Sequence, residues 1–275
     1  MLLEHGADPE VPHRKNGCTP LHLAHFCTID DTHPGSTIDA LRDAGACVNS
    51  PGGAKCGKRA IDHAIQACDC GEHQRLDSVQ VLLRAGAQVA LQSVLIAIDV
   101  ANPQFVELLL LAGGDCGCAL ESTKFWGQPL NRVLCARLKG PRECYKRMFR
   151  LLAQGTVCLP VTRAQKTCRG PSNQHLAIES ELRAMAKDHA DLARYLYAFL
   201  LRNAFYPTGE IRSLTVGACA VEWADEYLES APPLQDLAVR VLRSHLYQNG
   251  NILYGASRLR MPSRIVNAIL MINPL

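Results

Sequence analysis

His22, Cys68, Cys70 and His73 are the residues of this chain whose types and spacing come nearest to chemistry. A histidine works as a general base only beside a nucleophile, and no base–nucleophile pattern accompanies His22. Cys68, Cys70 and His73 are metal-binding types, but zinc modules rest on cysteine pairs separated by two other residues. Among the 13 cysteines no pair has that spacing; Cys68-Asp69-Cys70 and Cys116-Gly117-Cys118 come closest. The stretch Gly52-Gly53-Ala54-Lys55-Cys56-Gly57-Lys58-Arg59 has the glycine and lysine spacing of a phosphate-binding loop. Arg59 stands where a Ser or Thr would bind magnesium, however, and no strand-forming run precedes the loop. The sequence therefore predicts no catalytic residue, no metal and no cofactor. It predicts a chain that works by binding.

The elements that would position a binding surface follow from composition. At 275 residues, 48% hydrophobic and 20% charged, the chain can bury a core as one or two domains or as a repeat array. Aromatics at 5% argue against a β-sandwich or barrel. A formal charge of +3 is too small to predict a nucleic-acid partner. The longest apolar run, Val106–Ala112, is short and broken by Glu107, so no membrane partner is expected. No basic stretch leads into an apolar signal core, and Asn49-Ser50 is followed by Pro51, which leaves no glycosylation acceptor. The scattered cysteines, odd in number, read as reduced thiols in a cytoplasmic protein, with the nucleus also open to it.

One phrase recurs: a leucine-rich helix end followed by Gly-Ala. It stands at Leu2-Leu3-Glu4-His5-Gly6-Ala7, Leu41-Arg42-Asp43-Ala44-Gly45-Ala46 and Leu82-Leu83-Arg84-Ala85-Gly86-Ala87. It returns as Leu109-Leu110-Leu111-Ala112-Gly113-Gly114-Asp115, and a weaker copy is Leu151-Leu152-Ala153-Gln154-Gly155, so the glycines are spaced by 39, 41, 27 and 42 residues. A glycine after a helix supplies the left-handed conformation that closes it. A second phrase precedes these ends, most clearly as Thr19-Pro20-Leu21-His22-Leu23-Ala24. Thr19 suits an N-cap and Pro20 the first helical position. Eroded copies are Arg59–Ala64, Gln128–Val133 and Ser172–Ala177, and Gln92–Ala97 keeps only the apolar character.

These residues resemble the ankyrin repeat, whose nominal period is about 33 residues. The resemblance covers residues 1–206 and implies an all-α solenoid of about five to six degenerate units, the first partial. It makes Thr19, Pro20, Leu21, His22, Leu23, Ala24, Gly6, Gly45 and Gly86 structural signature residues. The longer steps imply inserted loops at Thr28–Ser36 and Asp69–Arg75. Because the chain opens at the end of a repeat's second helix, it reads as a truncated form lacking N-terminal repeats.

After Tyr206 the phrases stop. Residues 207–231 read as a linker with a short helix at Glu222–Ser230. Beyond it, Leu234, Leu237, Ala238, Val241 and Leu242 lie at helical offsets and form one apolar stripe. Leu259-Arg260-Met261-Pro262-Ser263-Arg264-Ile265 and an apolar helix, Val266–Ile272, close the chain. Residues 232–275 resemble a SOCS box. Leu234 and Leu242 match the Elongin-binding half, with Ala238 where a Cys is usual. Leu259, Pro262 and Ile265 match the cullin-selecting half, with Arg260 where its first Pro is usual.

Repeats followed by such a box are the layout of the ankyrin repeat and SOCS box family. The resemblance implies a substrate-recognition adaptor of a ubiquitin ligase. Elongin B and Elongin C would be recruited through Leu234, Leu237, Ala238, Val241 and Leu242. A cullin–RING scaffold would be met by Leu259, Pro262 and Ile265, and an unknown protein substrate held on the repeats. The rival reading is an ankyrin scaffold or inhibitor in intracellular signalling, with the terminal helices as a cap. The charge divides at the same boundary: residues 232–275 hold five Arg and one Asp, for +4, which leaves −1 for the rest. On the box reading, this excess is expected to steer docking onto acidic partner surfaces.

Overall fold

The computed structural model describes residues 2–26, 34–52, 57–67, 70–114, 129, 132–133, 141–155, 182, 184–202, 234–247 and 252–270. Among them every regular element is a helix, so the protein is all-α there. The chain divides into two compact units, Met1–Ala112 and Gly113–Leu275. The segment 207–231, with the helix read at Glu222–Ser230, lies outside the described residues, as do Leu130, Asn131 and Ser172–Ala177.

In the first unit the helices come in pairs: α1 (Pro20–Leu23) with α2 (Pro34–Asp43), α3 (Ala60–Gln66) with α4 (Glu72–Arg84), and α5 (Leu91–Asp99) with α6 (Pro103–Leu111). Helix α3 packs on both α1 and α5, while α4 packs on both α2 and α6, which makes two stacked rows. The rows bury Leu21, Ile38, Ile61, Ile65, Leu82, Val94, Phe105 and Leu109. Each contributes about 1.5–3 kcal/mol relative to exposure.

The glycines fall where helix closure needs them. Gly6, Gly45 and Gly86 have φ of 81°, 98° and 90°. In each case the alanine that follows donates back across the turn, Ala7 to the carbonyl of Leu2, Ala46 to Leu41 and Ala87 to Leu82, at 3.1, 2.9 and 2.9 Å. This is the Schellman closure, written three times in sequence and geometry. Gly113 also takes a positive φ. Gly155 is buried and is the last residue of helix α7; the residues after it lie outside the described ones.

The first helix of each pair also starts in one way. Thr19, Arg59 and Ala90 are extended, and the N–H three residues on, from His22, Asp62 and Ser93, donates to their carbonyls at 3.0 Å in all three. This geometry moves the third copy of the start phrase two residues toward the N-terminus of Gln92–Ala97, to Ala90–Leu95. The predicted loop at Asp69–Arg75 is also shorter than read. Helix α4 begins at Glu72, where the Gln74 side chain folds back to accept from the Gly71 N–H at 3.3 Å. Of the loop read at Thr28–Ser36, residues 34–36 belong to α2.

Loops between pairs are fastened to one another. The Cys47 N–H donates to the Glu10 carboxylate at 2.8 Å. Asn49 reaches the next loop twice, donating to the Gly86 carbonyl at 3.1 Å and accepting from the Gln88 N–H at 2.7 Å.

The second unit contains α7 (Arg142–Gly155), α8 (Ala190–Arg202), α9 (Leu234–Tyr247), α10 (Ile252–Ser257) and α11 (Ser263–Ile269). Helix α7 packs on α8 and on α10, and α10 in turn packs on α9 and α11. Tyr145, Met148, Phe149, Leu152, Leu192, Leu196, Ile252 and Ile269 form its buried apolar set. Helix α11 starts three residues before the predicted Val266–Ile272, because Pro262 fixes the chain's entry and its carbonyl accepts from Ile265 and Val266. Its last helical residue is Ile269.

Candidate partner-binding face

Helix α9 has two opposite faces, and the structure buries the less apolar one. Val239 and Leu246 are half-buried and Arg243 is buried, three positions that share one side at 3.6 residues per turn. The predicted stripe lies on the other side. Ala238 is exposed, Val241 is 70% exposed and Leu242 38%. Leu234 and Leu237 lie in the same helix, their side chains outside the described residues. On the inner side Leu246 faces Gly255 of α10, where an added methyl group would stand 3.6 Å away, in ordinary van der Waals contact.

Arg243 explains how a helix can be held by its polar side. Its guanidinium donates to the Ala153 carbonyl at 2.9 Å and to the Ile269 carbonyl. Ala153 and Ile269 belong to the last turns of α7 and α11, whose final carbonyls have no partner within their own helices. One buried cation thus caps two helix C-termini, where the aligned backbone dipoles also favour positive charge. Sequence reasoning missed this role and counted Arg243 toward an outward-facing charge. The available signal was its position, opposite the apolar stripe on an otherwise amphipathic helix.

The remaining predicted positions cluster around the start of α11. Leu259 is half-buried, whereas Pro262 and Ile265 are exposed beside exposed Met261. Arg260 and Arg264 are exposed, and the Arg258 guanidinium lies 4.0 Å from the Tyr254 ring centre, a cation–π stack. The face therefore combines isolated apolar side chains with three arginines, chemistry suited to a protein surface carrying acidic groups.

The chemically interesting residues of the first unit are absorbed by packing. The Thr19 hydroxyl and the His22 Nδ1 are 2.8 Å apart, inside the structure. His22 is edge-on to His63 at 5.6 Å between ring centres, and His25 stacks on His63 at 6.3 Å. Cys18 Sγ lies 3.8 Å from His63 Nε2, but the thiol is buried and offers no access to a substrate. His22 Nε2 makes no well-aligned hydrogen bond, although the carbonyls of Lys58 and Ser50 favour its proton. Burial dominates, and lowers His22 and His63; His25 is pushed down to about 4 by burial and by its two histidine neighbours.

Cys70 donates its thiol to the His25 carbonyl at 3.2 Å, and the exposed His73 faces Asp77 at 3.6 Å; Cys68, Cys116 and Cys118 lie outside the described residues. No group of three or more His, Cys, Asp or Glu among the described residues could hold a metal ion. Of the loop resembling a phosphate cradle, residues 53–56 lie outside the described residues, and its two ends are tied to each other. The Gly52 N–H donates to the Lys58 carbonyl at 2.8 Å and the Gly57 N–H to the Gly52 carbonyl at 3.1 Å, so neither is offered to a phosphate. No described helix is long and apolar enough to cross a membrane. No family model matches the sequence, and neither does any curated protein.

Proposed function

We propose that this chain is the substrate-recognition adaptor of an Elongin B/C–cullin–RING ubiquitin ligase. On this reading the stacked helix pairs are degenerate ankyrin repeats that hold a protein substrate, and residues 232–275 are a SOCS box. Ala238, Val241 and Leu242, with Leu234 and Leu237 on the same helix, meet Elongin C. Leu259, Pro262 and Ile265 meet the cullin. The chain does no covalent chemistry. It holds a substrate beside a charged ubiquitin-conjugating enzyme and so raises the effective concentration of the substrate's lysines.

The observation that carries this reading is the outward stripe of α9. An amphipathic helix with no partner normally turns its apolar side inward. Here Val241 and Leu242 face solvent while an arginine is buried on the opposite side. Such a stripe suits a helix laid into a partner's apolar groove.

The test is co-expression of the full chain with Elongin B and Elongin C. The native chain should co-purify with both, and Val241→Asp should weaken capture at least about 30-fold, the loss of an interface anchor worth about 2 kcal/mol. Because Val241 is 70% exposed, the helical circular dichroism should be unchanged. A native chain that captures neither Elongin overturns the reading and leaves the scaffold alternative.

A further inference from the structure

We propose that Arg243 is a positioning residue that sets the roll of α9 and so keeps the apolar stripe facing outward for a partner. The inference rests on the stripe being a docking face, as proposed above, but its geometry can be tested without any partner.

Burial of apolar area is non-directional, and it would favour rotating α9 about its axis until Val241 and Leu242 were covered. Successive residues of a helix are 100° apart, so Arg243 and Val241 point to nearly opposite sides. Bringing Val241 inward would drive the guanidinium out and leave the Ala153 and Ile269 carbonyls without their donor. A buried polar group that has lost its partner pays its full desolvation penalty, and more where the bond was charge-assisted. The two carbonyls come from different helices, so together they constrain rotation in a way a single hydrogen bond would not. Arg243 thereby fixes orientation through directional, charge-assisted bonds rather than through apolar packing.

The alternative is that Arg243 merely stabilises the helices it caps. The two roles predict opposite signs in one measurement. A thiol introduced by Val241→Cys in the full chain is labelled with N-ethylmaleimide, and its modification is followed at the peptide level by mass spectrometry. In the otherwise native chain, labelling should be fast. Adding Arg243→Met should slow it about tenfold or more, because reaction would then require local opening of a rolled helix. Adding Arg243→Lys, which keeps a charged donor, should restore most of the rate, while Arg260→Met should leave it unchanged. Labelling that is unchanged or faster with Arg243→Met overturns the proposal, since loss of a purely structural cap exposes position 241 further. Should Arg243→Met not fold, Arg243→Gln decides, since its short neutral amide cannot bridge both carbonyls: a rate slowed by severalfold in a folded chain supports the roll, and the native rate overturns it.

In chains with the native Val241, Arg243→Met should lower Elongin B/C capture although it leaves every outward residue in place. If the native chain captures neither Elongin, the ligase reading fails while the labelling result still decides the roll.

Discussion

The Ser93 hydroxyl donates to Asp62 Oδ1 at 2.5 Å inside the first unit, joining the starts of α3 and α5. Asp62 Oδ2 meanwhile accepts from the Arg59 N–H at 3.1 Å, so one carboxylate closes its own helix and grips the next. His22, Asp62 and Ser93 occupy the same position in three successive helix starts, and their chemistry is complementary along the row.

Removing the hydroxyl should therefore cost more than an ordinary hydrogen bond. Ser93→Ala leaves a buried carboxylate oxygen short of a donor and should destabilise the first unit by about 1.5–3 kcal/mol. Asp62→Asn, which can still accept from Ser93, should cost less than Asp62→Ala. Urea unfolding of the single and double variants at positions 62 and 93 measures the coupling, and additive effects would show that the contact is not formed in solution.

Acid should loosen the same unit. His22, His25 and His63 all bind protons less readily when folded, mainly because they are buried. A folded-state pKa below the unfolded 6.5 means that the unfolded chain takes up protons first. Stability is then whole above pH 6.5 and declines as pH falls toward about 4, the value reached by His25. The full displacement at His25 is worth about 3 kcal/mol. Urea midpoints between pH 7.5 and 5 should fall, and His25→Gln should flatten that slope; a pH-independent midpoint in the native chain would contradict the buried cluster.

Closure of the helix pairs depends on backbone conformation rather than on space. Nothing stands within 4 Å of a methyl group built on Gly86, yet its φ is 90°. Gly86→Ala should cost about 1–2 kcal/mol from the left-handed backbone alone, and Gly86→Asn less, because asparagine tolerates that region. Equal stabilities of the two variants by thermal unfolding would refute the backbone account.

Much of the first unit was legible because its signals are local. Leu41-Arg42-Asp43-Ala44-Gly45-Ala46 encodes a turn whose hydrogen bonds stay within six residues, so the phrase and the closure coincide. The start at Ala90 was misplaced because only apolar character survives there, and that does not fix a register; the backbone bond from Ser93 reveals it. In the second unit the stripe on α9 was readable from spacing, but which way it faced was not. Its direction is set by Arg243 meeting Ala153, 90 residues earlier, and no helical periodicity encodes so distant a contact. The +4 of the last segment misled for the same reason, since one of its five arginines is spent inside the fold.

The repeated Gly-Ala closure also bears on how such a chain changes over time. Each helix pair is sealed by bonds that reach back only a few residues, and neighbouring loops are stapled by single side chains such as Asn49. Spacings of 39, 41 and 27 residues between Gly6, Gly45, Gly86 and Gly113 are accommodated without altering the left-handed turn at any of them. Length can therefore drift within a pair while the joints stay fixed. The array can accept new sequence between its helices, and with it new recognition surfaces, at little risk to the parts that already fold.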